Sequence, residues 1–142
     1  MHKALFAILI GAILAIIGGA MLSGEKKFLR NSEPAELVVI AMNQDYGSGG
    51  DLFYYPVFGI NTDERPRVEY TSTIGYGDAP HAVGEIVPGR HRIETGELNS
   101  NKLLKDNIWA FRICFYLGLF MIAVGVINLV LPSHLRGPFR IR

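Results

Sequence analysis

Nineteen consecutive residues without a charge, Ala4 to Leu22 (ALFAILIGAILAIIGGAML), constrain this chain more than any other feature. At about 1.5 Å per helical residue the run covers nearly the ~30 Å hydrocarbon core of a bilayer. No water is available there, so every backbone amide must pair within the segment, and a single chain segment does that as a helix. Lys3 supplies the basic flank that a secretory signal peptide would also have. The apolar run is long for a signal core, however, and the small-x-small pattern around Ala20-Met21-Leu22-Ser23 is weak. The reading is an uncleaved signal-anchor.

A second run answers the first. Trp109 to Leu131 is apolar, and after Arg112 it gives nineteen uncharged residues, Ile113 to Leu131. Arg112 sits one turn inside, where its stem can snorkel to the headgroups, and Trp109 and Tyr116 suit the interface. Pro132 lacks a backbone donor and ends the helix. The predicted organisation is a transmembrane helix over 1–22, a polar tether over 23–34 and a β domain over 35–98. A connector over 99–108, a second transmembrane helix over 109–131 and a basic tail over 132–142 complete it.

Charge sets the orientation. All 13 acidic residues lie between Glu25 and Asp106, while Lys3, Arg136, Arg140 and Arg142 occupy acid-free tails. The positive-inside rule then places both termini in the cytoplasm and the loop outside, in a multi-pass protein of the plasma membrane. Lys26, Lys27 and Arg30 pull the other way, but they belong to a loop too long for its basic residues to count fully. The one cysteine, Cys114, falls in the second span, so the loop has no disulfide.

Small residues recur along one face of each span: Gly11, Ala15 and Gly18 in the first, Cys114, Gly118, Met121 and Gly125 in the second. Lipid offers helices no hydrophobic push, so such faces let backbones approach closely. An antiparallel hairpin within one chain is the preferred reading, and a homo-oligomer using the same faces is the alternative.

Between the spans the pattern is that of short strands. Glu36 to Met42 is rich in branched apolar residues, and Asn43 to Asp51 reads as a turn. Leu52 to Ile60 (LFYYPVFGI) alternates around aromatic residues, with Pro56 marking an edge or bulge. Asn61 to Pro66 turns, Arg67 to Ile74 alternates again, and Ala82 to Val87 and Arg90 to Thr95 read as two strands around Pro88-Gly89. The fold class is therefore membrane α plus a small all-β domain: two transmembrane helices flanking an antiparallel barrel or sandwich-like extracytoplasmic domain.

Thr73-Ile74-Gly75-Tyr76-Gly77 resembles the selectivity filter of potassium channels, where four chains each contribute a loop of backbone carbonyls. In those channels an apolar pore helix precedes the filter and the inner helix follows closely. Here Asp63, Glu64, Arg65, Pro66 and Arg67 precede it, and Trp109 lies far downstream. The preferred reading is a strand ending in a glycine-rich turn, with Ile74 partly buried and Tyr76 and Asp78 at the rim. A potassium-channel-like pore is kept as an alternative function.

Catalytic constellations are thin. His81, Asp78 and Glu85 are neighbours, and His91 with Glu94 forms an i, i+3 pair, but neither has the spacing of a metal or catalytic motif. No nucleophile elbow, P-loop or dinucleotide fingerprint occurs. The reading names no catalytic residue, metal or cofactor; a membrane-bound enzyme is the third-ranked class. Basic residues of the loop are interleaved with acids, which argues against nucleic acid. The partners expected are the lipid bilayer, another membrane or envelope protein, or a second copy of the chain.

Leu37-Val38-Val39, Tyr55-Pro56-Val57-Phe58, Val83-Gly84-Glu85-Ile86-Val87 and Trp109 together resemble the bacterial two-span membrane family designated domain of unknown function 3592. The resemblance implies a β-rich domain between two spans and makes Thr73 to Asp78 a loop between strands. It implies no activity, since none is established for that family. The chain departs from the family pattern at Arg90-His91-Arg92-Ile93 and Gly96-Glu97-Leu98-Asn99. The function expected is a membrane-held β module for binding, assembly or envelope maintenance.

Overall fold

The computed structural model describes residues 2–64 and 67–131. The element order is α1 (His2–Arg30), β1 (Glu33–Tyr46), β2 (Leu52–Ile60), β3 (Glu69–Thr71), β4 (Ile86–Arg92), β5 (Glu97–Ser100) and α2 (Asn101–Val130). The chain divides into two compact units, Met1–Gly24 with Ile108–Arg142, and Glu25–Asn107. The basic tail 132–142 and the Arg65-Pro66 part of the charged turn lie outside the described residues.

In the first unit, both helices are long and apolar enough to cross a membrane. Only 11% of each apolar window is buried, whereas the core helix of a water-soluble domain would be mostly buried. The helices run antiparallel and meet through glycine. A Cβ built on Gly118 would stand 2.5 Å from the Ala15 nitrogen, and one on Gly18 would stand 2.7 Å from the Phe115 nitrogen. Such contacts leave no room for a side chain.

The second unit holds a curled five-stranded antiparallel sheet, a half-barrel, with strand order β3-β2-β1-β4-β5. Period-2 alternation points Leu37 and Val39 of β1, Phe58 of β2, Val87 of β4 and Leu98 of β5 to one face, where Leu103 of α2 joins them at 5% exposure or less. Burying each such side chain contributes about 1.5–3 kcal/mol. Phe28 and Leu104 are buried as well.

The segment 23–34, expected as a polar tether, has regular structure. It is helical through Arg30, because nothing from Ser23 to Arg30 breaks the helix, and Lys27 and Arg30 complement the negative end of its dipole. Arg90 also donates from Nε to Ser32 Oγ at 2.8 Å and from its guanidinium to the Leu29 carbonyl at 3.3 Å, occupying an orphan acceptor of the last turn. The segment 99–108, expected as a connector, likewise has regular structure. It closes β5 and opens α2, with Ser100 Oγ accepting the Leu103 N–H as an N-cap.

Strand limits differ from the sequence reading for local reasons. β1 runs on to Tyr46, and the turn is confined to 47–51, closed by a Gly47 N–H bond to the Asp51 carbonyl. Arg67 to Ile74 yields only β3, because the Ser72 hydroxyl bonds both N–H and carbonyl of Ile74 and bends the chain. Ala82 to Glu85 is a turn in which Ala82 N–H binds the Glu85 carboxylate and Gly84 takes φ 87°. The two strands expected around Pro88-Gly89 are one strand, β4. Pro88 pairs with Glu36, and its missing donor faces past the end of β5, so no ladder bond is lost. Pro56 is not on an edge strand but in β2, one residue beyond the end of β3.

Candidate functional site

The filter-like segment follows β3 as a loop. Tyr76 makes an isolated antiparallel bridge to Tyr54, donating its N–H to the Tyr54 carbonyl at 3.0 Å and accepting the Tyr54 N–H at 2.8 Å. The Ile74 carbonyl accepts the Ser72 hydroxyl at 3.0 Å. Carbonyls of Ile74 and Tyr76 are thus engaged within the unit, while Thr73 and Gly77 are exposed. Gly75 lies against Tyr55, whose Cζ would be 2.7 Å from an added Cβ; at Gly77 an added Cβ meets nothing within 4 Å. Ile74 is half-buried and Asp78 exposed, as a strand-and-turn requires. Tyr76 is not at the rim: it packs against the core cluster.

The phenol of Tyr76 leads to a chain of polar groups that the sequence reading missed. It donates to Asn107 Oδ1 at 3.2 Å, and Asn107, 6% exposed, donates its amide to Glu25 Oε1 at 3.5 Å. Burial pushes the Glu25 carboxyl up; the Asn107 bond opposes this, and Glu97 adds like-charge repulsion. Burial likewise raises Tyr76, against the Asn107 bond, and raises Tyr70, with Glu97 assisting. Burial thus disfavours the charged forms of Glu25 and of both phenols, while the Asn107 bonds partly offset it at Glu25 and Tyr76. Asn107 sits seven residues into a helix whose start, Ser100-Asn101-Lys102-Leu103, carried a capping signal that could have located it.

A second cluster has the connectivity of a hydrolase relay. Ser100 Oγ lies 2.9 Å from His81 Nε2, and His81 Nδ1 lies 3.4 Å from Glu85 Oε2. Instead of standing in solvent beside a carboxylate, His81 is buried, with its ring edge-on to Phe58 at 5.9 Å. Asp78 takes no part. Ser100 is completely buried and its oxygen already accepts the Leu103 N–H, so no substrate carbonyl can reach it. The cluster ties the 80–85 loop to the start of α2, aided by Lys102, whose ammonium donates to the Pro80 carbonyl at 3.0 Å. Ala82 N–H holds the exposed Glu85 carboxyl below its ordinary range. Among the described residues, no three His, Cys, Asp or Glu side chains converge as metal ligands.

In the first unit, Gly11 faces the Gly118 carbonyl and Ile122, Gly125 faces Ile8 and the Ala4 carbonyl, and Cys114 directs its thiol at the Leu14 carbonyl at 3.6 Å. Ala15 lies under Gly118, and Met121 is half-buried.

The class defined by these features is a chain with two apolar helices of membrane-spanning length bracketing a half-barrel. Comparison with protein families, characterised proteins and solved structures gives no match.

Proposed function

We propose that this chain is an integral membrane protein that presents its half-barrel outside the cytoplasm as a binding or assembly module, with both termini inside. The observation that carries the reading is an open strand edge. Val39 is the last residue of β1 to bond toward β4: its N–H reaches the Glu85 carbonyl and its carbonyl accepts Gly84 N–H. A bulge at Val39/Ala41 follows, and, among the described residues, 42–46 continue with β2 on one side only. An unpaired edge is a template for another strand, and strand addition is a standard route to recognition. The engagement of the Ile74 and Tyr76 carbonyls supports a module over a pore, and the inaccessible Ser100 supports it over a hydrolase.

Cysteine labelling in a Cys114→Ala background tests the reading. Ser48→Cys, in the exposed β1–β2 turn, should react with an impermeant maleimide in intact spheroplasts, and Gly137→Cys in the tail should not. The reverse pattern overturns it.

A further inference from the structure

The open edge of β1 has a definable pairing chemistry. The bond from Gly47 N–H to the Asp51 carbonyl sets the alternation along the β1–β2 hairpin. Ala41, Asn43 and Asp45 therefore direct their backbone groups to β2, while Met42, Gln44 and Tyr46 direct theirs away from it. The opposite strand obeys the same alternation: Tyr54 and Pro56, facing Gln44 and Met42, bond outward to Tyr76 and Ser72. Tyr46 shows what an outward donor does without a strand beside it. Its N–H is held at 2.8 Å by the carboxylate of its own neighbour, Asp45.

Of the usual protections the edge has the bulge at one end and the single charge of Asp45. Residues 42–46 (MNQDY) contain no Lys and no Pro, and Asn43 to Tyr46 are exposed, Tyr46 at 72%. The outer strands β3 and β5 are kept to 3 and 4 residues.

We propose that a second copy of this chain pairs with this edge, antiparallel about a two-fold axis at Gln44. The inference rests on reading the edge as a binding surface and names its occupant. The bulge closes the open stretch at one end and the turn at the other, so its centre is Gln44, and only a register centred there pairs the whole stretch with itself. Gln44 then faces Gln44 of the second copy, and Met42 faces Tyr46, giving about six backbone hydrogen bonds. On one face Met42 meets the Tyr46 ring, a favourable sulfur–aromatic contact. On the other, Asn43 meets Asp45, so the carboxylate that gives up Tyr46 N–H gains the Asn43 amide. No like charges stand opposite one another.

Gln44→Pro tests this with little collateral damage, because the donor it removes points away from β2 and proline is tolerated on such an edge. Full-length protein in mild detergent is measured by analytical ultracentrifugation across a concentration series. The wild type should show a monomer–dimer equilibrium, and Gln44→Pro should weaken it about tenfold or more, as two lost backbone bonds predict. Circular dichroism should be unchanged. In a Cys114→Ala background, Gln44→Cys should form a disulfide-linked dimer under mild oxidation and Ser48→Cys should not. A strictly monomeric wild type, or a Gln44→Pro dimer of full strength, overturns the pairing; so does equal cross-linking at both positions. If Gln44→Pro misfolds, the cross-linking comparison decides. Maleimide labelling from outside with no dimer in detergent sinks the pairing alone, whereas labelling only from inside sinks the topology and leaves the dimer measurement standing.

Discussion

Tyr76 donates its phenolic hydrogen to Asn107 across 31 positions of sequence, and Asn107 passes a second hydrogen bond to Glu25. A loop, the opening turns of α2 and the closing turns of α1 are joined by three side chains. Two are half-buried and the third, Asn107, is fully so. A buried polar chain of this kind holds position only while each member keeps its partner, because an orphaned member loses its desolvation compensation.

Glu25 is the member that responds to pH. Burial lifts its pKa above the ordinary 4.5, so the folded state holds the proton more tightly than the unfolded chain does. The stability linked to that proton is full below the unfolded pKa and is lost as pH rises through the folded one. Glu25→Gln keeps an acceptor for Asn107 and removes the titration. Thermal melts should show a higher midpoint for the variant at neutral pH and convergence with the wild type toward pH 4. The gain should be a few tenths of a kcal/mol (roughly), since the side chain remains partly open to solvent.

Ser100 carries two structural duties in a fully buried position. Ser100→Ala removes the N-cap of α2 and strips His81 Nε2 of its partner in a buried site. The expected loss is ~2–4 kcal/mol, read by chemical denaturation of the full chain in detergent. A fluorophosphonate probe, which labels reactive serines, should leave the folded wild type unmodified. Labelling at Ser100 would establish an accessible nucleophile where the structure has none.

Much of this architecture was legible in the sequence, and the parts that were not share a cause. The two long apolar helices announced themselves by length, and Leu37, Val39 and Phe58 announced core faces by alternation. Pro88-Gly89 misled because the pair is a turn signal in isolation. Only the register shows that Pro88 clears the end of β5, and that Gly89 makes room for the Leu37 side chain and the Asn99 carbonyl. His81 misled for a related reason. Its burial depends on Phe58 and Ser100, neither of them near it in sequence. The open edge of β1 was equally hidden, since strand order decides which strands have neighbours.

Gly118→Leu is expected to force the helices apart. Its new side chain would begin 2.5 Å from the Ala15 nitrogen and 2.6 Å from the Gly11 carbonyl, and backbone cannot step aside as a side chain can. Overpacking of this kind costs about 1–3 kcal/mol and more when backbone must move. Leu119, next in sequence but 43% exposed, should accept phenylalanine with little effect. A thermal aggregation assay in detergent should separate the two variants clearly; equal midpoints would mean that the glycine faces do not form the contact.

Gly75 and Gly77 give the sharpest test of what the Thr73–Gly77 loop is. A potassium filter needs both glycines, because both backbones line one narrow pore and a side chain at either would clog it. The loop described here needs only one. Gly75 has Tyr55 against it, so Gly75→Ala must displace the ring, and a loss of ~1 kcal/mol is expected. Gly77 faces open space and has no positive φ, so Gly77→Ala should be neutral or should stabilise by up to ~1 kcal/mol through a less free unfolded chain. Thermal melts of the two variants should therefore diverge in sign or nearly so. In liposomes, wild type and both variants should give the potassium flux of empty vesicles. A barium-sensitive current in the wild type, abolished by either substitution, would make the loop a pore and would require its Ile74 and Tyr76 carbonyls to leave the partners they hold in the half-barrel.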